Sequence, residues 1–159
     1  MTGANIAILL GVLVGGAAPW LEAVVVIPGG ILAGVHPVPV VIAGLAGNLA
    51  TVAGAAWFGE RVRAWWVARR GTRAETGGRP DTGGRWQRVE RLVRRWGLPA
   101  LAVLGPIGLG TQLSALVAGG IGITPRAAFV WVGAGTVAWG VVAAIAAVTG
   151  VSLTGVTAP

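Results

Sequence analysis

The chain has no cysteine and a single histidine among its 159 residues. The absence of cysteine excludes a disulfide framework and a thiolate metal site. His36 has no second histidine with which to share a metal ion. No Ser-His-acid set, metal-ligand cluster or phosphate-binding glycine loop is recognisable, so we expect neither an enzyme nor a cofactor.

Charge is also scarce. Charged residues make up 11% of the chain and hydrophobic residues 55%, whereas a soluble globular domain has about 25% charged residues. The 28 glycines favour close packing of helices in lipid. These proportions predict an all-α integral membrane protein that forms a single membrane domain over 1–159.

The charge that is present is confined to one stretch. Residues 60–96 hold eleven arginines and four acids, and they account for the net charge of +7. The positive-inside rule places this stretch in the cytoplasm and the protein in the cell (inner or plasma) membrane. We therefore expect membrane lipid as a partner and no nucleic acid. The N-terminus lacks a basic region, so we do not expect a cleavable signal peptide.

The apolar pattern predicts three transmembrane helices and two short segments that enter and leave on the same side. The spans are predicted at 4–20, 38–59 and 125–149. The re-entrant hairpins are predicted at 21–35 and 98–122, because Pro28 with Gly29 and Gly105 with Pro106 interrupt their helices. In this layout the N-terminus is cytoplasmic and the hairpins enter from opposite faces.

The stretch between spans two and three has two predicted parts, an Arg-rich linker at 60–84 and an amphipathic helix at 85–96. Two tryptophans occupy the apolar stripe of that helix, which predicts that it lies on the inner leaflet. The arginines that we expect to contact lipid headgroups are Arg88, Arg91, Arg94, Arg95 and Arg126.

Glu22 is the only acid outside residues 60–96. A lone carboxyl beside a broken membrane helix indicates a functional site, although Glu22 could instead mark the membrane boundary after a short first span. Thr111 and Gln112 could cap a half-helix whose N-terminal amides attract anions. The predicted substrate- and proton-binding residues are Glu22, Pro28, Gly29, Asn48, Pro106, Thr111 and Gln112.

The two halves of the chain resemble each other. Each half contains a predicted hairpin that ends in Ala-Gly, then a proline, then a span rich in small residues. The paired features are PGGILAG at 28–34 with GTQLSALVAG at 110–119, Pro39 with Pro125, and Gly47-Asn48 with Gly135-Thr136. Because the predicted hairpins enter from opposite faces, this pattern predicts an inverted repeat, a plan common among transporters.

Several of these residues resemble the small multidrug export protein family, which is similar to the DedA (VTT-domain) group. They are Glu22 with the following Ile27-Pro28-Gly29, Gly47-Asn48, and GPIGLGTQLSALVAGGIGI at 105–123, and the resemblance covers most of the chain except the Arg-rich linker. It implies facing re-entrant hairpins and transport across or between leaflets, in relatives of carriers of lipids such as undecaprenyl phosphate. DedA proteins use an acid in the first hairpin and an arginine in the second. Glu22 matches the acid, whereas 105–111 has no arginine.

Three functions follow as expectations. The first is a transporter of a lipid-like or amphiphilic substrate, coupled to protons through Glu22. The second is a non-transporting scaffold that binds anionic lipid or a partner through the amphipathic helix. The third is a four-span pump of the small multidrug resistance type, which requires 98–122 to cross the membrane. The small size of the chain predicts a homodimer.

Overall fold

The computed structural model describes residues 2–70, 103, 110–120 and 122–154. All regular secondary structure in these ranges is helical, which confirms the all-α class. The helices are α1 (Gly3–Ala17), α2 (Glu22–Leu32), α3 (Pro37–Arg70), α4 (Thr111–Gly120) and α5 (Pro125–Thr154). The predicted amphipathic helix at 85–96, the linker from 71 onward and most of 98–109 lie outside the described residues.

Two helices are long and apolar enough to cross a membrane. They are the Pro37–Trp65 part of α3 and the Pro125–Gly150 part of α5. Helix α1, predicted as the first span, has only 15 residues. At 1.5 Å per residue it is about 22 Å long, which is shorter than a hydrocarbon core of about 30 Å.

Helix α2 runs without a break through Pro28, so the predicted interruption at Pro28 and Gly29 is wrong. Proline has no N–H and therefore cannot donate to the carbonyl of Val24, which costs part of the helix hydrogen bonding. The apolar face of α2 compensates, because Ala23 and Ile27 are fully buried and pack against the neighbouring helices.

The chain reverses direction at 18–21, before α2 begins. A Cβ built on Gly15 would lie 2.9 Å from Val26, and one built on Gly30 would lie 2.9 Å from Val12. Residues before the turn therefore meet residues after it in reverse order, so α1 and α2 form an antiparallel pair.

Helix α3 continues to Arg70, so the predicted linker does not begin at residue 60. Arginine, alanine and glutamate are good helix formers, and this stretch contains neither glycine nor proline to stop the helix. Near its end the Arg69 guanidinium lies 4.1 Å from the centre of the Trp65 ring, a cation–π contact that favours the helical spacing of these two residues.

Equivalent features recur 88 positions apart. Helices α2 and α4 end in the same way: Gly34 and Gly122 have φ of 85° and 95°, and the next residue donates back to the third-last residue of the helix, a Schellman cap. The predicted pairing of Asn48 with Thr136 keeps this register, and both residues are buried. The proline that corresponds to Pro125 is Pro37 rather than Pro39, since each of the two begins its long helix.

Apolar side chains cover the outside of the protein, and several polar ones lie inside. Val14, Leu32, Ile42 and Val130 are each more than half exposed. The buried polar or charged side chains among the described residues are Glu22, Asn48, Thr111, Ser114 and Thr136. An apolar exterior on membrane-length helices is suited to lipid, so the structure agrees with the membrane location that the composition predicts.

Helix α3 is central and contacts all four of the other described helices. Glycines make this possible. A Cβ on Gly47 would collide with the Leu13 carbonyl of α1, and one on Gly59 would lie 2.5 Å from the Leu116 carbonyl of α4. Such close backbone approach is typical of helix packing in membranes. It brings the middle of α3 beside the start of α4.

Candidate functional site

Glu22 and Thr111 meet at the first residues of two short helices. The Thr111 backbone N–H donates to Glu22 Oε1 over 2.6 Å, and the Thr111 hydroxyl lies 3.4 Å from the same oxygen. Both side chains are buried, with exposed fractions of 7% and 1%. The first N–H groups of a helix have no partner within the helix, so the carboxylate satisfies one of the unpaired donors of α4.

Asn48 and Gln112 extend the contact into a small polar cluster. The Thr111 hydroxyl lies 3.2 Å from Asn48 Oδ1 and 3.1 Å from Gln112 Oε1. Gln112 Nε2 donates to Thr51 Oγ1 over 3.2 Å, and Thr51 in turn donates to backbone carbonyls of its own helix. Helices α2, α3 and α4 therefore each contribute side chains to one cluster.

This cluster leaves two buried polar atoms without a hydrogen-bond partner among the described residues, Glu22 Oε2 and Asn48 Nδ2. In addition, the one hydroxyl proton of Thr111 is within reach of three acceptor oxygens and can serve only one of them at a time. A buried polar group without a partner costs about 1–3 kcal/mol. Such groups are more often found where a protein binds a ligand or a proton than in a purely structural core.

The backbone at Glu22 adds a second cost. Its φ is +35°, and it is the only described non-glycine residue with positive φ. A side chain disfavours this left-handed region. The position 88 residues later is Gly110, which has φ of +87°, so the other half of the repeat uses a glycine here. Glu22 therefore occupies a position suited to glycine, and strain of this kind is typical of functional residues.

Gly110 is adjacent to the carboxylate. A Cβ on Gly110 would lie 3.1 Å from Glu22 Oε1. Its carbonyl accepts from the backbone N–H of Ser114 at 3.0 Å and from the Ser114 hydroxyl at 2.8 Å, which starts the first turn of α4. The absence of a side chain at Gly110 lets the carboxylate approach this helix terminus.

The electrostatics of the site come mainly from backbone. Glu22 begins α2 and Thr111 begins α4, so the N-terminal ends of two helix dipoles converge on one carboxylate. Each N-terminus carries roughly half a positive charge. The predicted attraction of this helix end for an anion is thus met by the protein's own Glu22.

Ionisable groups are sparse around the carboxylate. Helices α1 and α4 have none, α2 has only Glu22, and α5 has only Arg126 in its first turn. The charged residues of α3 all lie at or beyond Glu60, at least twelve positions after Asn48. Within the described ranges there is no group of three His, Cys, Asp or Glu that could hold a metal ion.

The structure thus brings together four of the predicted site residues, Glu22, Asn48, Thr111 and Gln112. It does not bring Pro28 and Gly29 to them. Pro28 lies nearly two helical turns from Glu22 on α2, and Gly29 is exposed with open space beside it.

Arg126 is exposed in the first turn of α5, away from the carboxylate cluster. Pro106, Arg88, Arg91, Arg94 and Arg95 lie outside the described residues. Two further residues of the site, Thr51 and Gly110, were not among the predicted binding residues. Thr51 sits one helical turn after Asn48 and Gly110 directly precedes Thr111, and these short spacings are the signal that could have found them.

Comparison with known proteins gives one finding. The profile of the family described as "Putative small multi-drug export protein" matches residues 22–142. No curated protein and no solved structure matches the chain. The matched segment begins at Glu22 and includes the whole carboxylate cluster, both short helices and most of α5. Because the match covers more than half of the sequence, this chain belongs to the small multi-drug export protein family.

Proposed function

We propose that this protein is a membrane transporter that moves an amphiphilic, lipid-like substrate across or between leaflets and couples that movement to protons through Glu22. The observation that carries the proposal is the buried, partly unpaired Glu22 carboxylate at the meeting point of α2 and α4. Ionisable residues at membrane depth are costly and commonly belong to substrate or proton pathways. The export role in the family description points the same way.

The proposed architecture has two spans and two re-entrant hairpins. The antiparallel contacts of α1 with α2 support α1 as the first arm of a hairpin rather than a span, with its tip at 18–21. Helix α4 is the second arm of the other hairpin. A Cβ on Gly110 would lie 3.8 Å from the Pro19 carbonyl, so the first tip lies next to the start of α4. Helix N-termini that meet in this way are a common plan for binding sites in transporters.

The proposed role of Glu22 is to take up and release one proton per cycle. In the ionised state the carboxylate is held by the Thr111 N–H and by the two helix termini. Protonation removes the charge that these groups attract, so it weakens the contact between α2 and α4. Such a change in one contact between the two hairpins is a means by which proton binding can shift the protein between two conformations.

The test is transport by purified protein in liposomes under an imposed pH gradient, with a fluorescent amphiphile as the cargo. Glu22→Gln keeps the size and hydrogen-bonding ability of the side chain but removes the titratable charge. We expect this variant to fold and to lose proton-driven transport. Glu60→Gln is the matched control, because Glu60 is exposed near the end of α3, and we expect it to transport as the parent does.

Unchanged transport by Glu22→Gln would remove Glu22 from the mechanism. The scaffold alternative makes the opposite prediction, since replacement of Arg88, Arg91, Arg94 and Arg95 by glutamine would then abolish function and Glu22→Gln would not. Both sets of variants belong in the same assay.

Topology is tested by chemical accessibility of single cysteines, which the cysteine-free sequence makes simple. In the two-span layout Thr2→Cys and Ser152→Cys react on one side of the membrane and Arg126→Cys on the other. Labelling of residues 2 and 126 from the same side would instead support α1 as a span. Labelling of 126 and 152 from the same side would support four spans.

A further inference from the structure

The Glu22 carboxylate lies where a bound anion would be expected. Helices α2 and α4 have 11 and 10 residues, and their N-termini converge on it. The Thr111 N–H donates to it. Helix N-termini with free amide donors are common binding sites for phosphate and carboxylate groups, and in transporters they often bind the anionic part of a substrate.

Asn48 provides an independent indication of a ligand. Its side chain is fully buried and belongs to the cluster through Oδ1, yet its Nδ2 group has no acceptor among the described residues. A buried amide donor without a partner is costly. Glu22 Oε1 is already engaged by Thr111. An additional oxygen acceptor entering the cluster would give the Asn48 amide the partner that it lacks.

We propose that Glu22 occupies a binding site for the anionic headgroup of the substrate, and that the headgroup displaces the carboxylate with uptake of one proton. This inference rests on the proposed transport function and adds the class of substrate, an amphiphile with a negatively charged oxygen-rich head. Glu22 acts as a tethered competitor in this scheme. The empty protein keeps its site filled by its own acid.

The proton follows from the surroundings of the displaced side chain. Glu22 is flanked by buried apolar residues of α2, such as Ala23 and Ile27. Among the described residues the charged groups on the packed helices are Arg126 of α5 and the group of α3 from Glu60 onward, and no ion pair links any of them to Glu22. An unpaired carboxylate in such surroundings is strongly disfavoured relative to the neutral acid. One proton therefore enters for each headgroup bound, and the cycle is electroneutral for a monovalent anion.

The experiment measures binding and proton uptake together by titration calorimetry on the full chain in detergent micelles. The probe is decyl sulfonate, whose negative charge does not change with pH. Decyltrimethylammonium tests for a cation site, and inorganic sulfate tests whether the head alone suffices without the chain. Buffers of different ionisation enthalpy give the number of protons taken up.

We expect decyl sulfonate to bind with uptake of about one proton, and its affinity to rise up to about tenfold for each unit of decreasing pH. In Glu22→Gln the affinity should no longer depend on pH, because the competitor has no charge. Glu60→Gln should keep the parent pH dependence. Asn48→Ala should weaken binding by about tenfold or more and leave proton uptake unchanged.

Three results would overturn the inference: sulfonate binding without proton uptake, a pH dependence that survives in Glu22→Gln, or binding of decyltrimethylammonium that strengthens as pH rises while the sulfonate does not bind. The last result would assign the carboxylate to cation recognition. None of them depends on movement through a bilayer. Failure of the headgroup inference is therefore distinct from failure of the transport proposal, which the liposome assay decides separately.

Discussion

The backbone N–H of Thr111 donates to Oε1 of Glu22 over 2.6 Å, between residues 89 positions apart in the sequence. This single bond links the N-terminus of α4 to the first residue of α2, and hence the two halves of the repeat. It also decides where the buried carboxylate points. The hydrogen bond is charge-assisted when Glu22 is ionised, and such bonds are roughly twice as strong as neutral ones.

Gly110→Ala should disturb this contact directly. The new Cβ would lie 3.1 Å from Glu22 Oε1, on a backbone with φ of +87°. The left-handed conformation alone should cost about 1–2 kcal/mol of unfolding free energy, and displacement of the carboxylate should reduce transport. Thermal unfolding in detergent and liposome transport measure the two effects. Gly54→Ala is the control, because Gly54 is helical with open space around it. Equal stability of the two variants would contradict the prediction.

A pair of substitutions at position 22 should separate the side chain from the backbone. Glu22→Gly and Glu22→Ala both remove the carboxylate, so both should lose proton-driven transport. The φ of +35° at this residue suits glycine better than alanine. After allowance for the greater chain entropy of glycine in the unfolded state, Glu22→Gly should be the more stable by about 0.5–1 kcal/mol. Denaturant unfolding in mixed micelles measures the difference, and a more stable alanine variant would show that the backbone at 22 is unstrained.

Pro28→Ala should leave transport intact. Pro28 lies inside α2, away from the carboxylate cluster, and alanine restores an N–H that can donate to the Val24 carbonyl. Because a proline inside a helix costs up to about 3 kcal/mol, we expect the variant to be more stable than the parent in the same unfolding assay. Loss of transport without loss of stability would return Pro28 to the binding site.

Gly47→Ala should separate α1 from α3. A Cβ at this position would collide with the Leu13 carbonyl and lie 3.1 Å from the backbone nitrogen of Ala17, and backbone atoms cannot move aside as a flexible side chain can. We expect a loss of about 1–3 kcal/mol in unfolding free energy, as for other overpacked cores. Gly11→Ala, which has nothing within 4 Å, should be close to neutral. A tolerated Gly47→Ala would show that the helices can shift apart freely.

Several properties of this protein could be predicted from the sequence because they depend on composition and local pattern. The membrane class, the helical fold and the two long helices follow from hydropathy. The importance of Glu22 followed from its isolation among apolar residues. Asn48, Thr111 and Gln112 were selected because polar side chains are rare in these stretches, and in a membrane interior rare polar groups tend to meet one another.

Only the tertiary structure decided where the chain turns and which groups meet. Pro28 looked like a break because proline weakens a helix locally, but the packing of Ala23 and Ile27 outweighs that loss, and the chain turns at 18–21 instead. The meeting of two helix N-termini on Glu22, its left-handed backbone and the unpaired amide of Asn48 all arise between segments distant in sequence. Local propensities are worth about 1–3 kcal/mol at a residue and carry no information on partners, so they determine which segments are helical and leave their arrangement to the sum of contacts.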